Sequence, residues 1–258
     1  MYEKSSAIPV EELKIFELLK EEFSVVFDVG AREDLSFFQI KNNCEYHLFE
    51  PNSEFVNNLK NKIYMLEKHN IILNEFGLSD KEESNCIYYE SSQSFVINPF
   101  AKGKDKGHRY NLMRLDDYVH KNKIQHIDFL KIDAEGLDYK VIKGGINTVR
   151  TQVSYIQFEF WGGVQNFYDL LCNEFNLYLL MEPGLYSAIT KDIYHLLTDK
   201  QKEINFNISL ISITPELIDL LDNILSPRGC AGNILGIKKE LGHEKHKKIT
   251  FKITYDVS

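Results

Sequence analysis

Five stretches of the chain end in residues able to bind a ligand or do chemistry. They are Asp28-Val29-Gly30-Ala31, Glu50-Pro51, Gly77-Leu78-Ser79-Asp80, Lys131-Ile132-Asp133-Ala134-Glu135-Gly136, and Glu159 within Tyr155 to Trp161. Gly30 has no Cβ and lets a ligand come close to its turn. Glu50 follows Gly30 by 20 positions. That is the offset at which a dinucleotide-type site sets an acid on a ribose hydroxyl pair. Taken alone, Asp-Val-Gly-Ala is also an ordinary strand and tight turn; Glu50 at the next strand end argues for the site. Asp133, Glu135 and Glu159 gathered together would repel and raise one another's pKa, unless Lys131, another cation or a metal intervenes. A raised pKa is what a working general base needs. Plainer roles are a structural Lys131–Glu135 ion pair and a loop oriented by Asp133. Hard cations prefer oxygen ligands, but no metal ligand set is assigned.

Other features carry less. Ser91, Ser92 and Ser94 with Gln93 could bind acceptor hydroxyls or form a polar turn. Lys102, Lys104, Lys106, His108 and Arg109 form a cationic stretch that could hold a phosphate or lie in solvent. His243 and His246 have one-face helical spacing but no third ligand. Trp161, Tyr186 and Tyr194 could stack on a sugar or pack in the core.

These residues need a frame. Leu13, Phe16, Leu19 and Phe23 predict an amphipathic helix over Glu11 to Phe23. Apolar runs predict a strand and tight turn over 24–31, a strand over 45–51, a strand and its exit loop over 70–80, and strands over 127–136 and 153–160, with helices at 35–43, from Asn52 or Ser53 to about Lys68, and 138–145. Asn52 or Ser53 could cap the second of these, and Gly144-Gly145 stops the third. Two strand-like pieces, CIYYE and RYNLMRL, precede a short helix from Asp116. Asn166 to Phe175 and Leu177 to Glu182 read as one more helix and strand. The alternation predicts a doubly wound α/β sheet, with ligands beyond the carboxyl ends of its strands. Residues 183–214 break the rhythm and read as an insertion or lid. A helix (PELIDLLDNIL) and a late strand (GNILGIKK) follow. In the tail, Ile249, Phe251, Ile253 and Tyr255 alternate, as in a half-buried strand or an edge that pairs with a second copy. The expected organisation is a helical lead-in over 1–23 and one domain over 24–258.

Composition narrows the function classes. The 258 residues are 43% hydrophobic, which suits a globular core. Thirty basic against 38 acidic residues give a net charge of −8, a poor match for a nucleic-acid backbone. No apolar run approaches the ~20 residues of a membrane span, and the first residues lack a signal-peptide core. A cytoplasmic location is expected. Cys44, Cys86, Cys172 and Cys230 are scattered, which fits reduced core residues.

The order DVGA, FEP, GLSD, RLDDY and FLKIDAEGLDYKVIKGG resembles the FkbM-type S-adenosylmethionine-dependent methyltransferases, over roughly residues 24 to 160. The resemblance is most specific at Leu130 to Gly136 with Lys143-Gly144-Gly145. It implies a Rossmann-like class I fold with a reversed seventh strand, S-adenosylmethionine as donor, and an oxygen on a sugar or related small molecule as acceptor. One departure stands out. Where the family has Asn and a second Gly in its first loop, this chain has Arg32 and Asp34. Arg32 could pair with the cofactor carboxylate, and Asp34 could cap the following helix.

On that resemblance, Asp28, Gly30, Ala31, Arg32, Glu50, Pro51, Gly77, Leu78 and Asp133 are expected at the cofactor. Asp133 is the first candidate base or acceptor-orienting group, with Glu135, Glu159 and Lys131 beside it. Ser92, Ser94, Arg109 and Trp161 are expected at the acceptor, read as a carbohydrate or nucleotide-linked precursor of a surface polysaccharide. Two alternatives stay open: a non-catalytic Rossmann-like assembly domain with a degenerate loop, and a nicotinamide-dependent oxidoreductase, against which the missing G-x-G-x-x-G counts.

Overall fold

The short apolar runs become strands and the amphipathic stretches become helices around them. The computed structural model describes residues 10–66, 70–90, 95–96, 108–181, 209–228 and 232–242. The main sheet contains β1 (Val25–Val29), β2 (Glu45–Phe49), β3 (Ile71–Asn74), β8 (Ile127–Ile132), β9 (Val153–Phe160), β10 (Phe175–Met181), β11 (Ser209–Ser212) and β12 (Gly232–Lys238). Its order is β11-β10-β12-β9-β8-β1-β2-β3. The five strands from β3 to β9 run parallel, while β12 lies antiparallel between β9 and β10. This is a Rossmann-like sheet, with the reversed strand that the resemblance implied. β2 and β3 lie to one side of β1, with β8 and β9 to the other. This switch point opens a crevice beyond the carboxyl ends of β1 and β8.

A smaller sheet, ordered β4-β7-β5-β6, was not foreseen. It joins β4 (Gly77–Leu78), β5 (Glu83–Glu90), β6 (Phe95–Val96) and β7 (His108–Met113). Gly77 and Leu78 pair with Leu112 and Met113 and do not prolong β3. Part of the expected insertion likewise belongs to the main sheet, because β11 pairs with β10.

The helices are α1 (Val10–Leu19), α2 (Ser36–Ile40), α3 (Ser53–Leu66), α4 (Leu115–Asn122), α5 (Asp138–Gly144), α6 (Ile146–Gln152), α7 (Val164–Leu171) and α8 (Pro215–Arg228). Among the described residues no helix is long and apolar enough to cross a membrane. α1 packs on one sheet face. Its Phe16 ring lies 5.1 Å from Phe23, 4.8 Å from Phe37 and 5.3 Å from Phe129. Such aromatic contacts add to the gain from burying the rings.

The Gly144-Gly145 pair does more than end α5. A Cβ on Gly144 would lie 2.0 Å from the backbone oxygen of Ser79. The pair thus lets α5 close against the segment after β4. Gly144→Ala is expected to cost about 1–3 kcal/mol, as overpacking does. A lowered urea midpoint with an unchanged m-value is the check.

Several sequence readings fall outside the described residues: Ser91 to Ser94, Lys102, Lys104, Lys106, Tyr186, Tyr194, His243, His246 and the tail from Lys248.

Candidate functional site

β1 and β8 are neighbours, and their loops meet. The Asp133 N–H donates to the Val29 carbonyl at 2.9 Å. Gly30 has φ +83°, and a Cβ there would lie 1.9 Å from the Asp133 carbonyl oxygen. Glycine is required at this position first by the neighbouring loop. The two loops, β2 and the small sheet border a cleft open to solvent.

Glu50 lies at the end of β2 and is buried. Its Oε2 accepts the Arg32 N–H and its Oε1 the Asn52 N–H, both at 2.8 Å. Burial pushes its carboxyl up to about 7, against the pull of those two backbone donors. One acid thus braces the first loop and the start of α3. Asn52 caps that helix, its Oδ1 accepting the Glu54 N–H at 2.9 Å. Asp34 accepts the Ser36 N–H at 2.5 Å at the start of α2, so it occupies a backbone donor there. Arg32 and Glu135 both line the cleft, and Arg32 Nη1 lies 3.4 Å from Glu135 Oε1.

The carboxylates beyond β8 and β9 form the second part of the site. Ile132 pairs with Phe158, so Asp133 and Glu159 stand level at adjacent strand ends. Buried Lys131 reaches Asp133 Oδ2 at 3.2 Å. The structural pair read from sequence as Lys131–Glu135 is therefore Lys131–Asp133. The reason is that β8 ends at Ile132 and the chain turns left-handed at Glu135, whose side chain meets Arg32 instead. Glu159 accepts the Trp161 indole N–H at 2.8 Å. Burial, and then the charge of Asp133, push the Glu159 carboxyl up to about 8. Burial and the same neighbour also raise Glu135. Among the described residues no group of three or more His, Cys, Asp or Glu could hold a metal ion.

Gly30, Arg32, Glu50, Pro51, Gly77, Leu78, Asp133 and Glu135 all line the cleft. Asp28 and Ala31 do not. Asp28 borders a separate small cavity with Phe37, Phe38 and Tyr46, and Ala31 packs in the core beneath α1. Neither Glu159 nor Trp161 lines the cleft; they adjoin it through Asp133. Arg109 is exposed on β7, one residue from the cleft-lining Tyr110. Ser92 and Ser94 lie outside the described residues.

Sequence reasoning missed Phe49, Phe55, Tyr110, Leu112 and Leu137, which supply apolar walls. Their only sequence signal is the period-2 pattern of Tyr110 and Leu112. It also missed Asp138. This buried acid accepts the Gly136 N–H at 3.3 Å and the Ala134 N–H at 3.5 Å, tying down the loop after β8. Burial, then Asp133, push it up to about 7.

The cleft combines apolar walls with acids and one cation. Its apolar walls suit a flat base, Glu50 suits a hydroxyl pair, and charged Arg32, Asp133 and Glu135 stand at the strand ends.

A family model described as the methyltransferase FkbM domain matches residues 28–178. A search of curated protein sequences returned no match. The chain is similar to several solved structures. With methyltransferase FkbM from Methylobacillus flagellatus KT it shares 13% identity at a TM-score of 0.45, over 61% of this chain and 40% of that one. The chain thus spans well under half the length of that protein. With precorrin-6y C5,15-methyltransferase from Geobacter metallireducens GS-15 the identity is 11% and the TM-score 0.43, over 92% and 94% of the two chains. An rRNA methylase from Streptococcus thermophilus gives 11% and 0.45, over 90% and 98%.

Proposed function

Because the chain belongs to the FkbM methyltransferase family, we propose that it transfers a methyl group from S-adenosylmethionine to a hydroxyl oxygen of a small acceptor, a sugar or nucleotide-linked sugar. Residues 24–258, with the helical lead-in packed on them, act as one methyltransferase domain. The cofactor supplies a methyl group made electrophilic by its sulfonium. Glu50 accepts the ribose hydroxyls, and Phe49, Leu78 and Leu112 wall the adenine.

The observation that carries an oxygen acceptor is Glu159, a half-buried carboxyl raised to about 8 and level with Asp133. A hydroxyl must lose its proton as its oxygen attacks. A carboxylate with a raised pKa takes that proton better than an ordinary one. Glu159 is the base, and Asp133, held by Lys131, orients the acceptor hydroxyl. This reverses the order of candidates read from sequence, because Asp133 is already ion-paired. Trp161, which donates to Glu159, stands where a sugar ring could stack. The cationic sequence around Lys102 to Arg109 suits a phosphate on the acceptor, and a precursor of a surface polysaccharide meets both demands.

The test uses labelled S-adenosylmethionine and a panel of nucleotide-linked sugars from pH 6 to 9.5. The base must be deprotonated to act, so kcat/KM is expected to climb about tenfold per pH unit below the Glu159 pKa and level off above it. An O-methyl product with that profile is the expected result. A flat profile, or label found only on nitrogen, would contradict the reading.

A further inference from the structure

Arg32 and Glu135 sit on separate loops, after β1 and after β8, and face each other across the cleft. Each is a non-glycine residue in the left-handed region, with φ of 50° and 51°. Such a backbone costs roughly 1–2 kcal/mol per residue, and strain of this kind gathers at ligand sites. Their contact is partly exposed, with side-chain accessibilities of 48% and 22%. An ion pair of that exposure holds little energy and opens readily. The Arg32 guanidinium lies 5.4 Å above the Phe55 ring, which keeps it over the cleft. Its own N–H is held by Glu50, the acid assigned to the ribose.

We infer that the Arg32–Glu135 pair is a clasp for the zwitterionic amino-acid end of the cofactor, Arg32 taking the α-carboxylate and Glu135 the α-ammonium. This rests on the cofactor reading above and moves Glu135 from catalysis to binding. The amino-acid end presents one anion and one cation a single carbon apart, and so matches a guanidinium facing a carboxylate. Each protein group exchanges its partner for a ligand group of the same charge, so no charge is left unpaired. Burial and Asp133 make Glu135 costly to ionise, and an ammonium beside it relieves that cost. The clasp also does the work of the Asn and second Gly that the related family has in this loop.

The test is calorimetric and needs no turnover. S-adenosylhomocysteine carries the whole zwitterion, its des-amino analogue lacks the ammonium, and 5′-methylthioadenosine lacks the amino-acid end. All three are titrated into the wild type, Arg32→Asn and Glu135→Gln; Asn tolerates the left-handed backbone and preserves the loop. Arg32→Asn is expected to weaken S-adenosylhomocysteine by about 10- to 100-fold, as loss of a charged hydrogen bond does, and to leave 5′-methylthioadenosine within about twofold. Glu135→Gln is expected to weaken S-adenosylhomocysteine but not the des-amino analogue. Equal weakening of S-adenosylhomocysteine and 5′-methylthioadenosine, or no change in either, would overturn the clasp. If neither ligand binds the wild type, the cofactor reading itself fails, which is a separate outcome.

Discussion

Glu159→Gln is expected to lower kcat by about 10²–10⁴-fold, the range a positioned base contributes, with S-adenosylhomocysteine affinity nearly unchanged. Glutamine keeps the size of the side chain and can still accept the Trp161 N–H, so packing survives while the base is lost. The pH-dependent limb should go with it. Asp133→Asn is a useful contrast. Asp133 charge is the second cause of the raised Glu159 carboxyl, so the variant should move the limb to lower pH without abolishing it. It should also destabilise the fold, because buried Lys131 loses the charge of its neighbour; Asp133 is partly exposed, so the cost falls below the roughly 3–5 kcal/mol of a fully buried pair. If Glu159→Gln kept wild-type kcat while Asp133→Asn lost it, the roles would be exchanged.

Glu50→Ala is expected to weaken S-adenosylhomocysteine by at least about 100-fold. Two ribose hydroxyls lose a charged acceptor, at roughly 1.5–3 kcal/mol for each such bond. The Arg32 and Asn52 N–H groups lose theirs as well, so the first loop and the α3 start both loosen. Glu50→Gln separates the two effects, since it retains an oxygen for one of them and should fall between wild type and alanine. Calorimetry reads both variants. Unchanged affinity in Glu50→Ala would remove Glu50 from the ribose.

Stability should carry the mark of the same acids. Glu50, Asp138 and Glu159 are raised to about 7, 7 and 8 in the fold. The folded chain therefore holds more protons than the unfolded chain between the ordinary carboxylate range and those values. Stability supplied by these groups is present at low pH and is lost as pH rises toward 8.

Much of this was legible in the sequence because strand ends in an α/β sheet announce themselves. Gly30, Glu50, Gly77-Leu78 and Asp133 each end or follow an apolar run, and all line the cleft. The cleft's apolar walls were not legible. Phe49 and Leu112 read like any core residue, and only the pairing of β4 with β7 carries Tyr110 and Leu112 to the cleft. Asp28 lies off the cleft for a local reason. It precedes Val29 in β1, and successive strand residues point to opposite faces, so Val29 reaches the cleft and Asp28 a different cavity. Asp138 looked like an ordinary acid at a helix start; its grip on the loop appears only when Glu135 and Gly136 turn left-handed. The Lys131 pairing was misread because two candidate partners sit two and four positions on, and only the left-handed turn at Glu135, which leads it to Arg32, decides between them.

The central claim is that the cleft beyond β1, β2 and β8 takes S-adenosylmethionine. Titration calorimetry of the wild-type chain with S-adenosylmethionine, S-adenosylhomocysteine and NAD tests it most directly. One molecule of either adenosyl ligand per chain is expected, with no binding of NAD and with proton uptake or release on binding, read as a dependence of the heat on buffer ionisation, because burial raises Glu50 in the cleft to about 7. Absence of binding by both adenosyl ligands would contradict it and favour an assembly domain with a degenerate loop, and tighter binding of NAD would contradict it in favour of an oxidoreductase.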